Sequence, residues 1–285
     1  MIKARRRKEW LRKLIIYSGL VLFALFVLFP FAIMVISSLK HKEETIGGFT
    51  WWPKMGLTLR CYANAFKKVA SSTSIIEGFF NTLWIIIPPT LVGLLTSTLS
   101  AYAFAKLRFR GKKVMFGLLI ATMMVPGIAT LVPSYIIWDY LGVTVDAPFV
   151  PLMIPGMFGA AACVFFMRQS ISAIPDSIIE ASRIDGIGTF GCFVRIVLPL
   201  IKPALLAQGI LGFVGGYNDY FGPLIYLKSD YQTLQIAVSV FSDRYSGDWP
   251  SILAANIVAI IPTVLIYIFV QKYFIEGITA GGEKG

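Results

Sequence analysis

Long apolar stretches alternate with short charged segments along the chain, and this pattern predicts membrane helices. Five stretches lack Asp, Glu, Lys and Arg, and each exceeds the roughly 20 residues that an α-helix needs to cross the ~30 Å hydrocarbon layer of a bilayer. They are residues 14–39, 78–105, 114–138, 147–167 and 249–271. A sixth stretch, residues 203–227, contains one charged residue, Asp219. Because helices satisfy their own backbone groups in lipid, the pattern predicts six transmembrane helices and no membrane-spanning strand.

Composition supports an all-α membrane protein. Of the 285 residues, 56% are hydrophobic and only 14% are charged, and the mean hydropathy is +0.74. Soluble domains carry about 25% charged residues. The pattern divides the chain into three parts: residues 1–77 with the N-terminus, first helix and an outer loop, a core of residues 78–274 with five helices, and a C-terminal tail, residues 275–285.

The distribution of Lys and Arg predicts the orientation of the helices. If the N-terminus lies inside, the inner segments 1–13, 106–113, 168–202 and 272–285 hold 7, 5, 4 and 2 basic residues, 18 of the 26 in the chain. Six of the other eight lie in the long outer loop, residues 40–77, which counts less for orientation. This bias places both termini in the cytoplasm. It also explains the net charge of +11 without a nucleic-acid partner, because the basic residues flank helices instead of forming one stripe.

The basic N-terminus followed by an apolar run has the order of a secretory signal peptide. The run is longer than the 7–15 residues of a signal-peptide core, and no small-residue cleavage pattern follows it. The sequence therefore predicts a retained first helix.

Catalytic and metal-binding signals are absent from the sequence. There is no phosphate-binding loop of the form G-x-x-x-x-G-K-[ST], and the only histidine, His41, lies beside two lysines as in a solvated loop. The predicted topology puts Cys61 outside, Cys163 in the bilayer and Cys192 inside, so no pair of cysteines forms a disulfide or a metal site. The chain is predicted to be no enzyme and to bind no metal or cofactor. Any ATP-driven process would need a nucleotide site on another chain.

The polar segment between the fourth and fifth apolar stretches carries signals for a helical hairpin. Pro175 and Asp176 are typical of a helix start, and Gly186 suits the left-handed position after a helix that runs to about Asp185. Thr189 is a candidate cap for a second short helix, which is expected to end at Leu198 before a proline.

Residues 180–199 of this segment read EASRIDGIGTFGCFVRIVLP. This stretch resembles the cytoplasmic coupling loop of binding-protein-dependent ABC importer permeases, in which Glu-Ala-Ala is followed by Gly after three residues and by Ile-x-Leu-Pro after nine more. Ser182 replaces the second Ala. The resemblance implies that the loop, residues 168–202, contacts an ATPase subunit through Glu180, Ala181, Ser182, Asp185, Gly186, Ile196, Leu198 and Pro199. The alternative is an amphipathic interfacial hairpin that merely connects two helices.

Further stretches are similar to the smaller permease subunit of carbohydrate importers of the maltose type. They lie in the expected order at residues 30–31, 37–40, 62–66, 81–82, 101–106, 109–111, 123–126 and 277–285. The last of them matches a tail rich in Thr, Ala and Gly. By resemblance, Thr279, Gly281 and Gly282 in this tail are expected to contact the ATPase.

The expected substrate pathway lies in the fifth helix. Gly209, Gly212, Gly215 and Gly216 allow close helix packing there, and Tyr217, Asn218, Asp219 and Tyr220 follow them. Counted along a continuous helix from Pro203, Asp219 would lie about 24 Å from its start. An acid within a membrane helix usually faces a cavity or a partner, so these four residues are candidates for contact with sugar hydroxyls. Two alternatives remain: a structural hydrogen bond to a neighbouring permease, and a carboxylate at the outer interface.

The resemblance implies the all-α core of a type I importer with a cytoplasmic coupling helix, in the bacterial cytoplasmic membrane. It implies a heterodimer with a second, homologous permease, two ATPase subunits that use ATP and Mg²⁺, an extracytoplasmic solute-binding protein, and alternating access for a carbohydrate such as an oligosaccharide. Three alternatives have less support: an ABC permease for a polyamine or phosphonate, a secondary transporter, and a membrane-integral enzyme. A secondary transporter should show inverted repeats and more buried ionisable residues, and neither is apparent.

Overall fold

The computed structural model is helical, with no strand in the part of the chain that it describes. That part is the backbone of residues 2–45, 48, 50–68 and 73–282, with the side chains of these residues except 2–9, 270 and 272–282. The helices are α1 (Ile2–Ser38), α2 (Lys42–Thr45), α3 (Arg60–Ala65), α4 (Ile75–Lys106), α5 (Lys112–Thr122), α6 (Gly127–Tyr140), α7 (Val143–Asp146), α8 (Val150–Met157), α9 (Ala161–Ser172), α10 (Asp176–Ile184), α11 (Thr189–Cys192), α12 (Leu198–Leu200), α13 (Lys202–Tyr217), α14 (Phe221–Tyr226), α15 (Leu234–Arg244) and α16 (Trp249–Gly282). A π-helical turn, Phe193–Val197, lies between α11 and α12.

The number of possible membrane crossings depends on how bent helices are counted. Four stretches within the described ranges are long and apolar enough to cross alone: Trp10–Ser38, Ile75–Lys106, Val150–Ser172 and Trp249–Phe269. Two bent pairs pass the same test together, α5 with α6 and the stretch Thr189–Leu200 with α13. The predicted six crossings are obtained when each bent pair counts as one.

The third predicted helix, residues 114–138, is broken in the structure. It consists of α5 and α6, which meet at an angle of 96° around residues 123–126. Pro126 lies directly before α6, has no N–H to donate and disfavours helical geometry at the residue before it. The third predicted crossing therefore consists of two helices instead of one continuous helix.

The fifth predicted helix, residues 203–227, is also interrupted, because α13 ends at Tyr217. The amide nitrogen of the Asn218 side chain donates to the carbonyl oxygen of Val214 at 2.9 Å, and Asp219 Oδ1 accepts from the backbone N–H of Gly222 at 3.2 Å. Such local bonds compete with continued helix formation. Asp219 consequently lies in a break between α13 and α14 instead of far along one helix.

The chain divides into two compact units, residues 1–69 with 238–260, and residues 70–237 with 261–285. These units cut across the predicted segments, since residues 238–260 group with the first helix instead of with the core. The predicted tail also begins inside a helix, because α16 continues to Gly282.

In the first unit, α1 is exposed along its apolar length and anchored at its C-terminal end. Every side chain from Trp10 to Ala32 is exposed, as expected of a helix that faces lipid. At the end of α1, the hydroxyls of Ser38 and Tyr62 lie 2.8 Å apart, and the thiol of Cys61 donates to the carbonyl of Lys40 at 3.6 Å. Burial raises the pKa of this thiol.

In the second unit, α4 is the central helix, and α8, α9 and α13 pack along it. A capping box begins α4: the backbone N–H of Glu77 donates to the Ser74 hydroxyl, and the Glu77 carboxylate accepts from the backbone N–H of Ser74. Where α4 crosses α8, Gly93 approaches so closely that an added Cβ would lie 2.2 Å from the carbonyl oxygen of Gly156. The glycine pair therefore sets the distance between these helices.

Candidate functional site: a helical hairpin and a cavity along α4

The first arm of the predicted coupling loop is the helix α10, as the sequence predicts. Pro175 precedes the helix with extended backbone, and Asp176 is its first residue. Lys106, at the end of α4, donates to Asp176 Oδ1 and to the carbonyl oxygen of Ile174, both at 2.6 Å. This hydrogen bond lowers the pKa of the Asp176 carboxyl below its ordinary value of 3.8, so the ion pair persists in acid that would protonate a free aspartate. The start of α10 is thus fastened to the end of α4.

The predicted coupling residues on α10 face in different directions. Glu180 and Ala181 are exposed, as a contact with another subunit requires. Ser182 is only 2% exposed, and its hydroxyl donates to the carbonyl oxygen of Ile179 at 2.7 Å. The small side chain of Ser182 therefore packs within this chain, and Ala181 is the exposed small residue of the pair.

The turn after α10 has the hydrogen bonds of a Schellman motif. Asp185 is the cap residue, and Gly186 has a φ of 78°, in the left-handed region predicted for it. The backbone N–H of Gly186 donates to the carbonyl oxygen of Arg183 at 3.1 Å, and that of Ile187 donates to the carbonyl oxygen of Ser182 at 2.9 Å. Asp185 and Gly186 are both exposed at the tip of the hairpin.

The second arm differs from the prediction at both ends. Gly188, not Thr189, is the residue before the first turn. The helix does not stop at Leu198, because it passes through the π-helical turn and Pro199 and ends at Leu200. Pro199 is tolerated because it lies in the first turn after the π-helical turn, where its missing N–H costs least.

A buried apolar cluster holds the hairpin against the ends of α4 and α9. Its members include Tyr102, Met167, Ile179 and Val197, and the predicted coupling residues Ile196 and Leu198 are half-buried against it. The Tyr102 hydroxyl also donates to the carbonyl oxygen of Thr189 at 3.3 Å. The exposed residues among those predicted to couple, including Pro199, therefore lie on a hairpin whose inner side belongs to the core.

The four predicted pathway residues do not form one surface. Tyr217 is 1% exposed, while Asn218 and Asp219 are exposed and Tyr220 is half-buried. The Gln235 side chain donates to the carbonyl oxygen of Tyr217 at 3.2 Å. Of the four residues, only Asp219 lines the cavity described next.

A cavity of about 330 Å³ lies between α4, α8, α9, α13 and α14. Glycines on one face of α13 open it: added Cβ atoms at Gly209 and Gly216 would contact Leu94 and Ile86 of α4 at 3.3 and 3.1 Å. The predicted close packing is thus observed at Gly209 and Gly216, whereas an added Cβ at Gly215 would meet no atom within 4 Å. The lining residues are Ile85, Ile86, Pro89, Thr90, Gly93, Leu94, Ser97, Leu152, Gly156, Ala160, Ala162, Cys163, Gln208, Gly212, Gly216, Asp219, Pro223 and Thr233.

Sequence reasoning missed four polar residues of this cavity, Thr90, Ser97, Gln208 and Thr233. Gln208 offered a signal, because it lies within the sixth apolar stretch, where polar side chains usually face protein or a cavity. Thr90 and Thr233 offered none, because threonine is common in membrane helices and in turns. Within the described residues, no three His, Cys, Asp or Glu side chains are arranged to hold a metal ion.

A family model for the binding-protein-dependent transport system inner membrane component matches residues 90–279, about two thirds of the chain. The chain belongs to this family. It is therefore a permease and a multi-pass membrane protein. The matched region contains both the hairpin and most of the cavity.

Two curated relatives match this permease over nearly their whole length. It is 31% identical to the arabinooligosaccharides transport system permease protein AraQ of Halalkalibacterium halodurans, over 94% of this chain and 95% of that one. It is 28% identical to the lactose transport system permease protein LacG of Rhizobium radiobacter, over 97% of each chain. Both relatives are named for the transport of sugars.

Among solved structures, the permease resembles a chain of a bacterial ABC transporter involved in the import of the acidic polysaccharide alginate. The TM-score is 0.77 at 22% identity, over 94% of this chain and 98% of that one. This likeness shows the fold, that of a type I ABC importer permease.

Proposed function

We propose that this permease is the smaller transmembrane subunit of an ATP-driven, binding-protein-dependent importer of a carbohydrate, most simply an oligosaccharide. The observation that carries the proposal is the hairpin of α10 to α12, which presents Glu180 and Ala181 outward while its inner side is packed against α4. The printed names of the sugar-transport relatives support the substrate class.

In this proposal the chemistry of ATP belongs to partner chains. The complex would contain two ATPase subunits, which use ATP and Mg²⁺. One of them would dock on the hairpin of this chain and on the end of α16, at Thr279, Gly281 and Gly282. The side chains of these three residues lie outside the described part of the chain. A second, homologous permease completes the membrane part, and a solute-binding protein delivers the carbohydrate from outside. The complex lies in the bacterial cytoplasmic membrane, with both termini of this chain in the cytoplasm.

The role of this chain is to transmit movement. Closure of the ATPases on nucleotide would displace the exposed face of α10, and the contacts of Lys106 with Ile174 and Asp176 would pass the displacement to α4. Since α4 packs on α8, α9 and α13, the membrane core would follow and expose the pathway alternately to the two sides.

The test is the substitution Glu180→Lys in the whole complex. If an arginine or lysine of the ATPase holds this carboxylate, the substitution turns an attraction into a repulsion and should uncouple transport. We expect the variant to reach the membrane but to co-purify with much less ATPase and to take up little sugar.

Asp146→Lys is the matched control, because it makes the same charge change at another exposed residue, in α7. It should leave the recovery of ATPase unchanged. Normal uptake by the Glu180→Lys variant would contradict the docking role of the hairpin.

A further inference from the structure

The cavity along α4 contains three neutral polar side chains without hydrogen-bond partners among the described residues. They come from three parts of the chain: Thr90 lies in α4, Gln208 lies in α13, and Thr233 is the residue directly before α15. Thr233 is only 3% exposed, and its buried hydroxyl is unpaired. By contrast, Thr82, Thr96 and Thr98 of α4 all donate to carbonyl oxygens. Buried polar groups in proteins are normally paired, so the buried Thr233 hydroxyl calls for a ligand or water, and the half-buried side chains of Thr90 and Gln208 line the same cavity.

The charge of the cavity narrows the class of ligand. Among the residues that the structure describes, no Lys, Arg or His lines the cavity, and Asp219 is the one carboxylate in its wall. An anionic solute such as a phosphonate would find no cation there, and a polyamine would find one partner for several ammonium groups. Hydroxyl and amide groups both donate and accept, which suits a neutral molecule with many hydroxyls.

The shape of the cavity fits the same class. Apolar side chains such as Ile86, Pro89 and Leu152 line the remaining wall together with glycines, and they suit the C–H faces of a sugar ring. The volume of about 330 Å³ is at the small end of the roughly 300–1,000 Å³ typical of small-molecule sites. An acyl chain would fill the space but leave the three polar groups unpaired.

We propose that this cavity is a binding site for one ring of a neutral carbohydrate inside this subunit, where Thr90, Gln208 and Thr233 bond its hydroxyls. This site rests on the proposed function and gives the location at which the sugar is bound. It moves the sugar contacts from the segment Tyr217–Tyr220 to residues deeper between the helices and keeps only Asp219 of the predicted set.

The native thiol of Cys163 provides a reporter, because it lines the same cavity while Cys61 and Cys192 are buried elsewhere. With Cys61→Ala and Cys192→Ala in the reconstituted importer, the rate of N-ethylmaleimide labelling of Cys163 is measured by mass spectrometry. The probes are neutral oligosaccharides, beginning with lactose and arabinotriose, whose uptake is measured in parallel. A transported sugar at ten times its Kd should slow the labelling about tenfold.

The variant Gln208→Leu should abolish this protection and raise the KM for uptake about tenfold, which corresponds to about 1.4 kcal/mol. Thr90→Val should act in the same direction, so the test does not depend on one variant. Ser100→Ala, which removes a hydroxyl of α4 outside the cavity, should change neither readout. Size-exclusion chromatography verifies that every variant assembles.

The two proposals fail differently. A complex that takes up a sugar while Cys163 is labelled at the same rate with and without it overturns the cavity site alone. A complex that takes up no sugar overturns the proposed carbohydrate function, and the inference with it.

Discussion

The Lys106 ammonium shows how much one side chain contributes to the hairpin. It is 7% exposed on the side chain, yet it donates both to a carboxylate in α10 and to the backbone just before that helix. Arg168 adds a second fastening close by, because its Nε donates to the carbonyl oxygen of Phe104 at 3.3 Å and its guanidinium lies 4.1 Å from the Phe116 ring centroid. Two cations thus connect the polar ends of α4, α5, α9 and α10 beside the apolar cluster.

Gly186 allows a prediction that isolates backbone conformation. An added Cβ would contact no atom within 4 Å, so a substitution is opposed only by the φ of 78°. A residue with a side chain is destabilised by roughly 1–2 kcal/mol in this region, and a β-branched one by more. Gly186→Val should therefore reduce the recovery of ATPase with the complex, whereas Gly186→Asn should stay close to wild type because Asn tolerates left-handed backbone. Equal behaviour of the two variants would contradict this account.

At single residues, the sequence predicts conformation better than direction. The start at Pro175 and the turn at Gly186 could be predicted because proline and glycine restrict or extend the local backbone whatever surrounds them. The inward direction of Ser182 could not, because it depends on which face of α10 meets the core. The position of Gln208 in an apolar stretch indicates that it faces protein or a cavity, but it does not show which side chains lie beside it.

At the scale of elements, the bounds of several helices are determined by breaks within the apolar stretches. The apolar pattern predicts the stretches that become α4, α8 with α9, and α16, but it carries no information about the breaks at residues 123–126 and 218–220. These breaks depend on Pro126 and on hydrogen bonds from Asn218 and Asp219 to the backbone. Hydropathy along a stretch does not register hydrogen bonds that compete with the helix, so two helices separated by a break are predicted as one.

The crossing of α4 and α8 yields a prediction about packing. In Gly93→Ala the new methyl group would overlap the carbonyl oxygen of Gly156, and neither backbone can yield easily. Overpacking of this kind costs about 1–3 kcal/mol. The variant should therefore have a lower melting temperature than wild type, measured as the loss of the monodisperse peak in fluorescence-detected size-exclusion chromatography after heating.

Gly215→Ala is the matched control for this crossing. It places the same methyl group in α13, where no atom lies within 4 Å, and alanine is favoured over glycine in a helix by about 1 kcal/mol. Its melting temperature should equal or exceed that of wild type. If the Gly93→Ala protein is as stable as this control, then α4 and α8 can move apart without loss of stability, and close packing at Gly93 is not required.

At the scale of the molecule, the proposed orientation follows from the 18 basic residues on the predicted inner side. Single cysteines in a chain free of native cysteines test it. Val145→Cys, close to Gly142, should react with an impermeant maleimide in intact cells, and Phe190→Cys, close to Gly188, should react only after lysis. Both positions are exposed on the surface of the chain, so poor access does not explain a negative result. The reverse labelling pattern would invert the topology and remove the hairpin from the cytoplasm.

The double use of α4 has a thermodynamic consequence. The helix forms a wall of the cavity through Thr90 and Ser97 and contacts the hairpin through Lys106, and the nine helical steps from Ser97 to Lys106 span about 14 Å. Coupling between two binding events on one body is reciprocal: if ATPase docking changes the affinity of the cavity for sugar, then sugar changes the affinity of docking by the same factor. The sugar would then be an effector of its own motor as well as its cargo.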